Sequence, residues 1–361
     1  MESVPPSKVF ANQVGGHPGV TTTEDGSLLI KPTLPSEIAF YQALLTDPRC
    51  ENLRDFVPEF YGTLKLEGRV ENEAGGLDMN AIKPSIVLEN LAHTFAKPNI
   101  LDIKLGTVLF DEDATQEKRE RMERVAAETT SKETGMRLTG FQVSLPTAYV
   151  IFPLAADNCA QVYDLAADKP VVTAKAYGKS VKPADLPDGF ARFFPLVAPA
   201  YPTDSAQPTT SAGALHATGL PSEILLPILN ALLLDVEEIL DVMKDIELRM
   251  IGGSLLIVYE ADWERAREGL RLLREAEKRA EADVDRDTSE DEEDEDTDED
   301  EIEDAVGPPF VARLIDFAHT KLVPGRGPDE GVLRGLLTVA DLLRGRIAQV
   351  EAVSVNTLTS S

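Results

Sequence analysis

Cysteine is nearly absent. Cys50 and Cys159 are the only two, too few for a disulfide framework and without the paired spacing of a zinc site, which fits a reducing compartment. No long apolar run occurs either. The most apolar stretch, Ile224 to Leu240, is interrupted by Pro227, Asn230, Asp235, Glu237 and Glu238. The N-terminal Met1-Glu2-Ser3-Val4-Pro5-Pro6 has no basic segment leading into an apolar one, so neither a membrane span nor a secretion signal is expected. Cations are scarce: 35 Lys and Arg face 63 Asp and Glu, for a net charge of −28, and no direct binding to nucleic acid is expected. The deficit is uneven, because Glu281 to Asp304 holds 17 acidic residues against one Arg, contributing −16 and leaving −12 for everything else. A run so dense repels itself and buries nothing. Residues 280–306 therefore read as a disordered insertion, either a solvated loop without a task or an acidic arm for basic protein partners.

What is present is a chain of 361 residues, 43% hydrophobic, enough for one large domain or two lobes. In the first 95 residues, Ser27-Leu28-Leu29-Ile30-Lys31 follows the turn signal Glu24-Asp25-Gly26, and Ser85-Ile86-Val87-Leu88-Glu89 is a second β-rich run. A helix opening at Pro35-Ser36 is expected between them. Asp113 to Thr134 reads as one charged helix; Gly140–Val143 and Ala148–Phe152 read as extended, and Pro183 to Phe193 as helical. A Pro/Ser/Thr/Ala-rich surface loop should lead to Ser222, the expected N-cap of a buried helix running to about Met250. Ser254–Glu260 is a buried strand, Trp263–Arg279 a charged helix, Pro309–Ile315 a strand ending at Asp316, and Asp329 to about Val350 a closing helix. No internal repeat occurs.

Four groups of residues could carry chemistry. In Pro98-Asn99-Ile100-Leu101-Asp102-Ile103-Lys104-Leu105-Gly106, strand alternation puts Asp102 and Lys104 on one face and Leu101, Ile103 and Leu105 on the other. A carboxylate that binds ribose or metal beside a lysine that neutralises a phosphate is what phosphoryl transfer needs; an exposed strand with a cross-strand ion pair has the same spacing. In Leu314-Ile315-Asp316-Phe317, an acid follows an apolar strand, as in the Asp-Phe-Gly magnesium element of protein kinases or a plain strand-end turn. Lys31, with Glu37 opening the next helix, could pair as the phosphate-positioning lysine and glutamate of kinases do. Gln13-Val14-Gly15-Gly16-His17 is not a phosphate-loop signature. Lys118, Arg121 and Arg124 recur every three residues on one helix face, where Glu117–Arg121, Glu120–Arg124 and Glu128–Lys132 could instead form surface pairs worth roughly 0.2–0.5 kcal/mol each.

Together these segments resemble the inositol polyphosphate kinase family. The family's Pro-x-x-x-Asp-x-Lys-x-Gly mark is met by Pro98, Asp102, Lys104 and Gly106, its Ser-Leu-Leu element by Ser254-Leu255-Leu256, and its Ile-Asp-Phe element by Ile315-Asp316-Phe317. Phe40-Tyr41, Gly135-Met136-Arg137 and Tyr177-Gly178-Lys179 are also similar to family sequence. The resemblance implies an α+β, two-lobed kinase-like fold: an antiparallel β-rich N-lobe over 1–95 that binds ATP, and a larger α+β catalytic C-lobe over 96–361. That second lobe would include inositol-binding helices within 113–138 and a flexible loop over 198–221. By the same resemblance Lys31 would touch the ATP phosphates, Glu89 and Leu91 would present hinge backbone to adenine, Asp102 would bind ribose, and Lys104 would meet the transferred phosphate. Asp316, helped by Ser254, would hold Mg2+, and Lys118, Arg121, Lys132, Arg137 and His319 would bind the inositol phosphate. The lack of a long N-terminal regulatory region and the acidic insertion look most like the fungal multikinase branch, implying stepwise phosphorylation of inositol trisphosphate by a monomer in nucleus and cytoplasm. A hexakisphosphate kinase shares the three motifs and is the nearest rival; a nuclear scaffold working through the acidic stretch is the rival from another class.

Overall fold

Short β-prone runs separated by turn residues pair into an antiparallel sheet at the start of the chain. The computed structural model describes residues 7–9, 19–64, 84–143, 171–172, 178, 180–197, 219–286 and 306–359. Its first sheet contains β1 (Ser7–Val9), β2 (Thr21–Thr23), β3 (Leu28–Pro32), β4 (Phe60–Leu64) and β5 (Ser85–Glu89), in the order β1-β2-β3-β5-β4. The Glu24-Asp25-Gly26 turn forms as read: Gly26 donates its N–H to Thr23 O at 3.0 Å and has φ 84, a left-handed value that costs glycine nothing. Helix α1 (Pro35–Thr46) begins at a proline, whose fixed φ and missing N–H suit a first helical position.

The second sheet has the order β11-β10-β6-β7-β8, all antiparallel, from β6 (Pro98–Leu105), β7 (Met136–Val143), β8 (Val171–Val172), β10 (Ser254–Glu260) and β11 (Phe310–Ile315). A ribbon of β9 (Leu248–Ile251) and β12 (His319–Leu322) stands apart from it. Behind the sheet, α5 (Ser222–Asp245) packs along α7 (Glu330–Thr359). Their apolar stripes, among them Ile228, Leu232, Val236, Leu336 and Val339, join Leu101, Ile103 and Leu255 in the main core. The other face of the same strands buries Ile100, Val258 and Val311 with Leu91, Ala92 and Phe95 in a second apolar cluster. Both faces of β6 are thus covered, and its alternation separates Asp102 and Lys104 from the core.

Several expected boundaries move. The charged helix is two helices, α2 (Gln116–Glu128), capped by Thr115 Oγ1, and the short α3 (Ser131–Thr134). The break falls at Thr129, whose backbone is extended and whose hydroxyl donates to Val125 O at 2.7 Å, and α3 closes on Gly135 at φ 71. Ser222 is the first residue of α5 rather than its cap; Pro221 is the cap, with no side-chain bond. That helix ends at Asp245, since Ile246 turns extended and Leu248 and Met250 alternate inward as a strand, so the expected helix to Met250 is not formed. The charged helix from Trp263, α6 (Trp263–Arg286), continues into what composition reads as the insertion. A short 3-10 turn at Pro183–Asp185 precedes α4 (Leu186–Phe193), and Asp329 caps α7 through Gly331 N and Val332 N at 3.1 and 3.2 Å. The expected strand Ala148–Phe152, the Gln13–His17 segment, Tyr177, Lys179, and most of the loop and acidic insertion lie outside the described residues. No described helix is long and apolar enough to cross a membrane.

Candidate active site

Strand register gathers the charged residues. Ser254, at the start of β10, pairs with Lys104 of β6 on one side and with Ile315 of β11 on the other, so Asp316 follows directly at the end of a neighbouring strand. Asp316 is the one non-glycine residue with positive φ among the described residues, at 67°. Such a conformation costs on the order of 1–3 kcal/mol and persists only where its surroundings enforce it. Here Phe317, fully buried, stacks on Phe40 at 4.7 Å and meets Tyr41 edge-on at 5.6 Å, fixing the turn against α1.

Asp316 is held between two ammonium groups. Lys31 Nζ donates to its Oδ1 at 2.8 Å and Lys104 Nζ to its Oδ2 at 2.6 Å. Lys31 also donates to Glu37 Oε1 at 2.8 Å, and the buried Glu37 accepts from Phe317 N at 3.1 Å and from the Thr33 hydroxyl. The lysine–glutamate pair read from the sequence therefore exists, and it reaches the Ile-Asp-Phe element as well. Burial opposes the charge on Asp316, but Lys104 and Lys31 outweigh it and hold the carboxyl well below the usual range. Burial alone would depress both lysines; Asp316 with Glu37 raises Lys31, and Asp102 with Asp316 raises Lys104. Asp102 differs. It is buried 4.0 Å from Lys104, its Oδ1 has no hydrogen-bond partner among the described residues, and burial lifts its pKa despite Lys104. A bulge in β7 falls beside it, where Thr139 Oγ1 donates to Asp102 O at 2.7 Å.

Two unmatched oxygens suggest what this place can hold. Asp102 Oδ1 accepts only, so it suits a hydroxyl donor such as ribose. Ser254 Oγ is likewise buried and unpartnered among the described residues, on the residue that pairs with Ile315, one before Asp316. Those are hard oxygen donors of the kind magnesium accepts, and no described group of three His, Cys, Asp or Glu forms a complete metal cage. A metal ion fits here if phosphate and water oxygens supply its remaining ligands.

The remaining expected residues lie around this cluster. Glu89 ends β5, with Oε2 accepting from Glu59 N at 3.3 Å, and Leu91 is buried in the second apolar cluster where the chain crosses between the sheets. Arg137 lies opposite Lys104 on β7; its Nε is buried and unpartnered among the described residues, and burial lowers its pKa. His319, on β12, holds Asp111 Oδ2 through Nδ1 at 2.9 Å. Lys118 is half-buried and Arg121, Arg124 and Lys132 are exposed, and no described contact joins them to the Asp316 cluster. The surface pairs Glu117–Arg121, Glu120–Arg124 and Glu128–Lys132 do not form; Gln116 Nε2 donates to Glu120 instead, at 2.9 Å. A few tenths of a kilocalorie does not fix a flexible exposed pair, and these cations form no ion pair among the described residues.

Sequence reasoning missed Glu260. This buried carboxylate accepts from Ala96 N at 2.7 Å and from Lys97 N and Asp262 N at 2.9 Å, anchoring the crossing segment that leads into β6. It also missed Asp111 and Glu112, whose partners lie more than 200 residues away. Glu112 joins Lys321 at 3.3 Å and Arg326 at 2.6 Å, and its carboxyl is lowered to about 2 by those two cations.

Comparison with known proteins places this geometry. The family model described as inositol polyphosphate kinase matches residues 85–344. The inositol polyphosphate multikinase of Saccharomyces cerevisiae is 31% identical over 95% of this chain and 99% of its own. The chain belongs to the inositol polyphosphate kinase family. A crystal structure of an S. cerevisiae inositol phosphate multikinase in complex with ADP and Mn2+ superposes with a TM-score of 0.58 at 30% identity, covering 89% of this chain and all of that one. Similarity to inositol hexakisphosphate kinase 1 of Rattus norvegicus, 41% identical, spans only 16% of this chain and 13% of that protein. The two-lobed α+β fold and the kinase character expected of a family member are therefore met, and the full-length likeness lies with multikinases.

Proposed function

We propose that the protein is an ATP-dependent inositol polyphosphate multikinase that phosphorylates inositol trisphosphate stepwise to tetrakis- and pentakisphosphate. The observation that carries this reading is the convergence of Lys31, from the first sheet, and Lys104, from the second, on the single carboxylate of Asp316. Charges from both sheets meet where a nucleotide's phosphates would cross between them. The apolar cluster around Leu91, Ile100 and Val258 suits adenine, with the backbone of Glu89 and Leu91 at its edge. Asp102 would take ribose, Lys31 the phosphates, and Lys104 the phosphoryl in transfer. Asp316 and Ser254 would hold a magnesium ion, which when bound neutralises phosphate charge. The acceptor hydroxyl oxygen forms its bond to the γ-phosphorus as the bridging oxygen bond breaks and ADP departs, the hydroxyl proton passing to solvent, so no phosphoenzyme is needed. Arg137, Lys118, Arg121 and Lys132 would gather the acceptor's phosphates; His319, held by Asp111, would not. Catalysis on this scheme is positioning plus charge neutralisation.

Incubating the purified protein with Mg-ATP and, separately, inositol tris-, tetrakis-, pentakis- and hexakisphosphate, then resolving products by chromatography, tests the reading. Turnover of the tris- and tetrakisphosphates is expected; turnover of the hexakisphosphate alone would reject it. The acidic stretch Glu281–Asp304 suits basic protein surfaces by charge alone and is assigned no part in transfer.

A further inference from the structure

Beside the Asp316 cluster lies a cleft of about 360 Å³ between the residues that follow Gly106, the β9/β12 ribbon and the start of α7. It adjoins the reacting groups: Ile251 in its wall precedes Gly252, whose carbonyl accepts from Lys104 Nζ at 3.1 Å, and His319 follows Asp316 by three residues. Its lining carries four carboxylates, Asp111, Glu112, Asp329 and Glu330, against the basic side chains Arg249, Lys321 and His319, and Arg249 donates to the backbone carbonyls of Leu248, Arg326, Gly327 and Pro328. His319 pairs with Asp111, while Lys321 and Arg326 both pair with Glu112. The cations of α2 and α3, in contrast, carry no ion pair among the described residues. The cleft's own lining thus holds more carboxylates than cations.

We infer that Glu112, with Asp111, is a specificity determinant that excludes acceptors bearing a phosphate on the β12 side of the site. This rests on the multikinase reading above. A carboxylate accepts a hydrogen bond from a ring hydroxyl but repels a phosphate, so it discriminates between an unmodified and a phosphorylated ring position. The basic side chains that would otherwise attract a phosphate there are already engaged, Lys321 by Glu112, His319 by Asp111 and Arg249 by backbone carbonyls. An acceptor phosphorylated at every position cannot avoid this side; a trisphosphate can present hydroxyls to it.

The test measures the inhibition constant of inositol hexakisphosphate against trisphosphate turnover, divided by the KM for trisphosphate, in wild type, Glu112→Gln, Glu112→Asp and Arg326→Gln. Glu112→Gln is expected to lower this ratio threefold or more, Glu112→Asp to leave it at the wild-type value, and Arg326→Gln to raise it. The last two variants separate charge from structure, because Glu112→Gln and Arg326→Gln weaken the same ion pair from opposite sides. Charge selection moves the ratio in opposite directions, whereas a mere loosening of the loop moves it the same way. A shift in the same direction, or a change below threefold in Glu112→Gln, overturns the proposal. Trisphosphate turnover by wild type in the same experiment checks the multikinase reading independently.

Discussion

Asp102 and Asp316 carry the same carboxyl group into opposite situations. Asp102 is buried with one oxygen unmatched, and its pKa is raised from 3.8; Asp316 has an ammonium on each oxygen, and its pKa is lowered. The signs for stability are therefore opposite. The ionised Asp102 costs stability above its unfolded pKa, a cost relieved as acid protonates it. Asp316 contributes stability above its unfolded pKa, lost only as pH falls through its depressed folded value. On acidification Asp102 is expected to protonate first, while Lys31, Asp316 and Lys104 remain paired. The acid limb of kcat/KM for ATP should then fall above pH 3.8 in wild type and disappear in Asp102→Asn. A wild-type limb lying below that value, or an unchanged limb in the variant, would contradict the assignment. The sequence places Asp102 and Lys104 on a shared face through alternation alone. It carries no hint that Asp316 would lie between two lysines, one of them 285 residues away, because contacts at that range depend on sheet order rather than on local pattern.

Among the elements, strands with strict alternation and the helices opening at Pro35, near Ser222 and beside Asp329 were legible, since burial of one face and capping chemistry are local signals. The β9/β12 ribbon was not. Leu248-Arg249-Met250-Ile251 continues a helical-looking apolar stretch, and only its pairing with His319–Leu322 makes it a strand. Glu260 was equally hidden, because its partners are backbone N–H groups that no sequence pattern marks. The ribbon's neighbour Phe317 links α1 to the end of β11, with its ring fully buried against Phe40 and Tyr41. Phe317→Ala is expected to cost about 3–5 kcal/mol of unfolding free energy, as buried aromatic truncations do. Urea denaturation checks it; a loss under about 1 kcal/mol would mean that the stack does not hold the two parts together.

For the molecule as a whole, the overall charge misleads. The chain is strongly acidic, yet on α2 and α3 the exposed Arg121, Arg124 and Lys132, without ion pairs among the described residues, alternate with as many carboxylates as cations, so the excess charge lies elsewhere. Composition placed the start of the acidic insertion at residue 280, too early: α6 runs on to Arg286. Deleting Thr288–Asp304, which spares that helix, is expected to change trisphosphate kcat by less than about twofold in a turnover assay, since the proposed transfer uses no residue of that stretch. A tenfold loss would show that the stretch acts in catalysis.

The cluster joining the two sheets is the centre of the proposed function, and one measurement addresses it. Phosphate transfer from Mg-ATP to inositol trisphosphate should be compared in wild type, Lys104→Ala and Asp316→Asn, with melting temperature recorded on the same preparations. Wild type should turn over, and each variant should lose at least about 10²–10³ in kcat, the scale of removing one preorganised charge-stabilising group, while still melting cooperatively. Near-wild-type transfer in either folded variant would contradict the assignment of Lys31, Lys104 and Asp316 as the phosphoryl-transfer site.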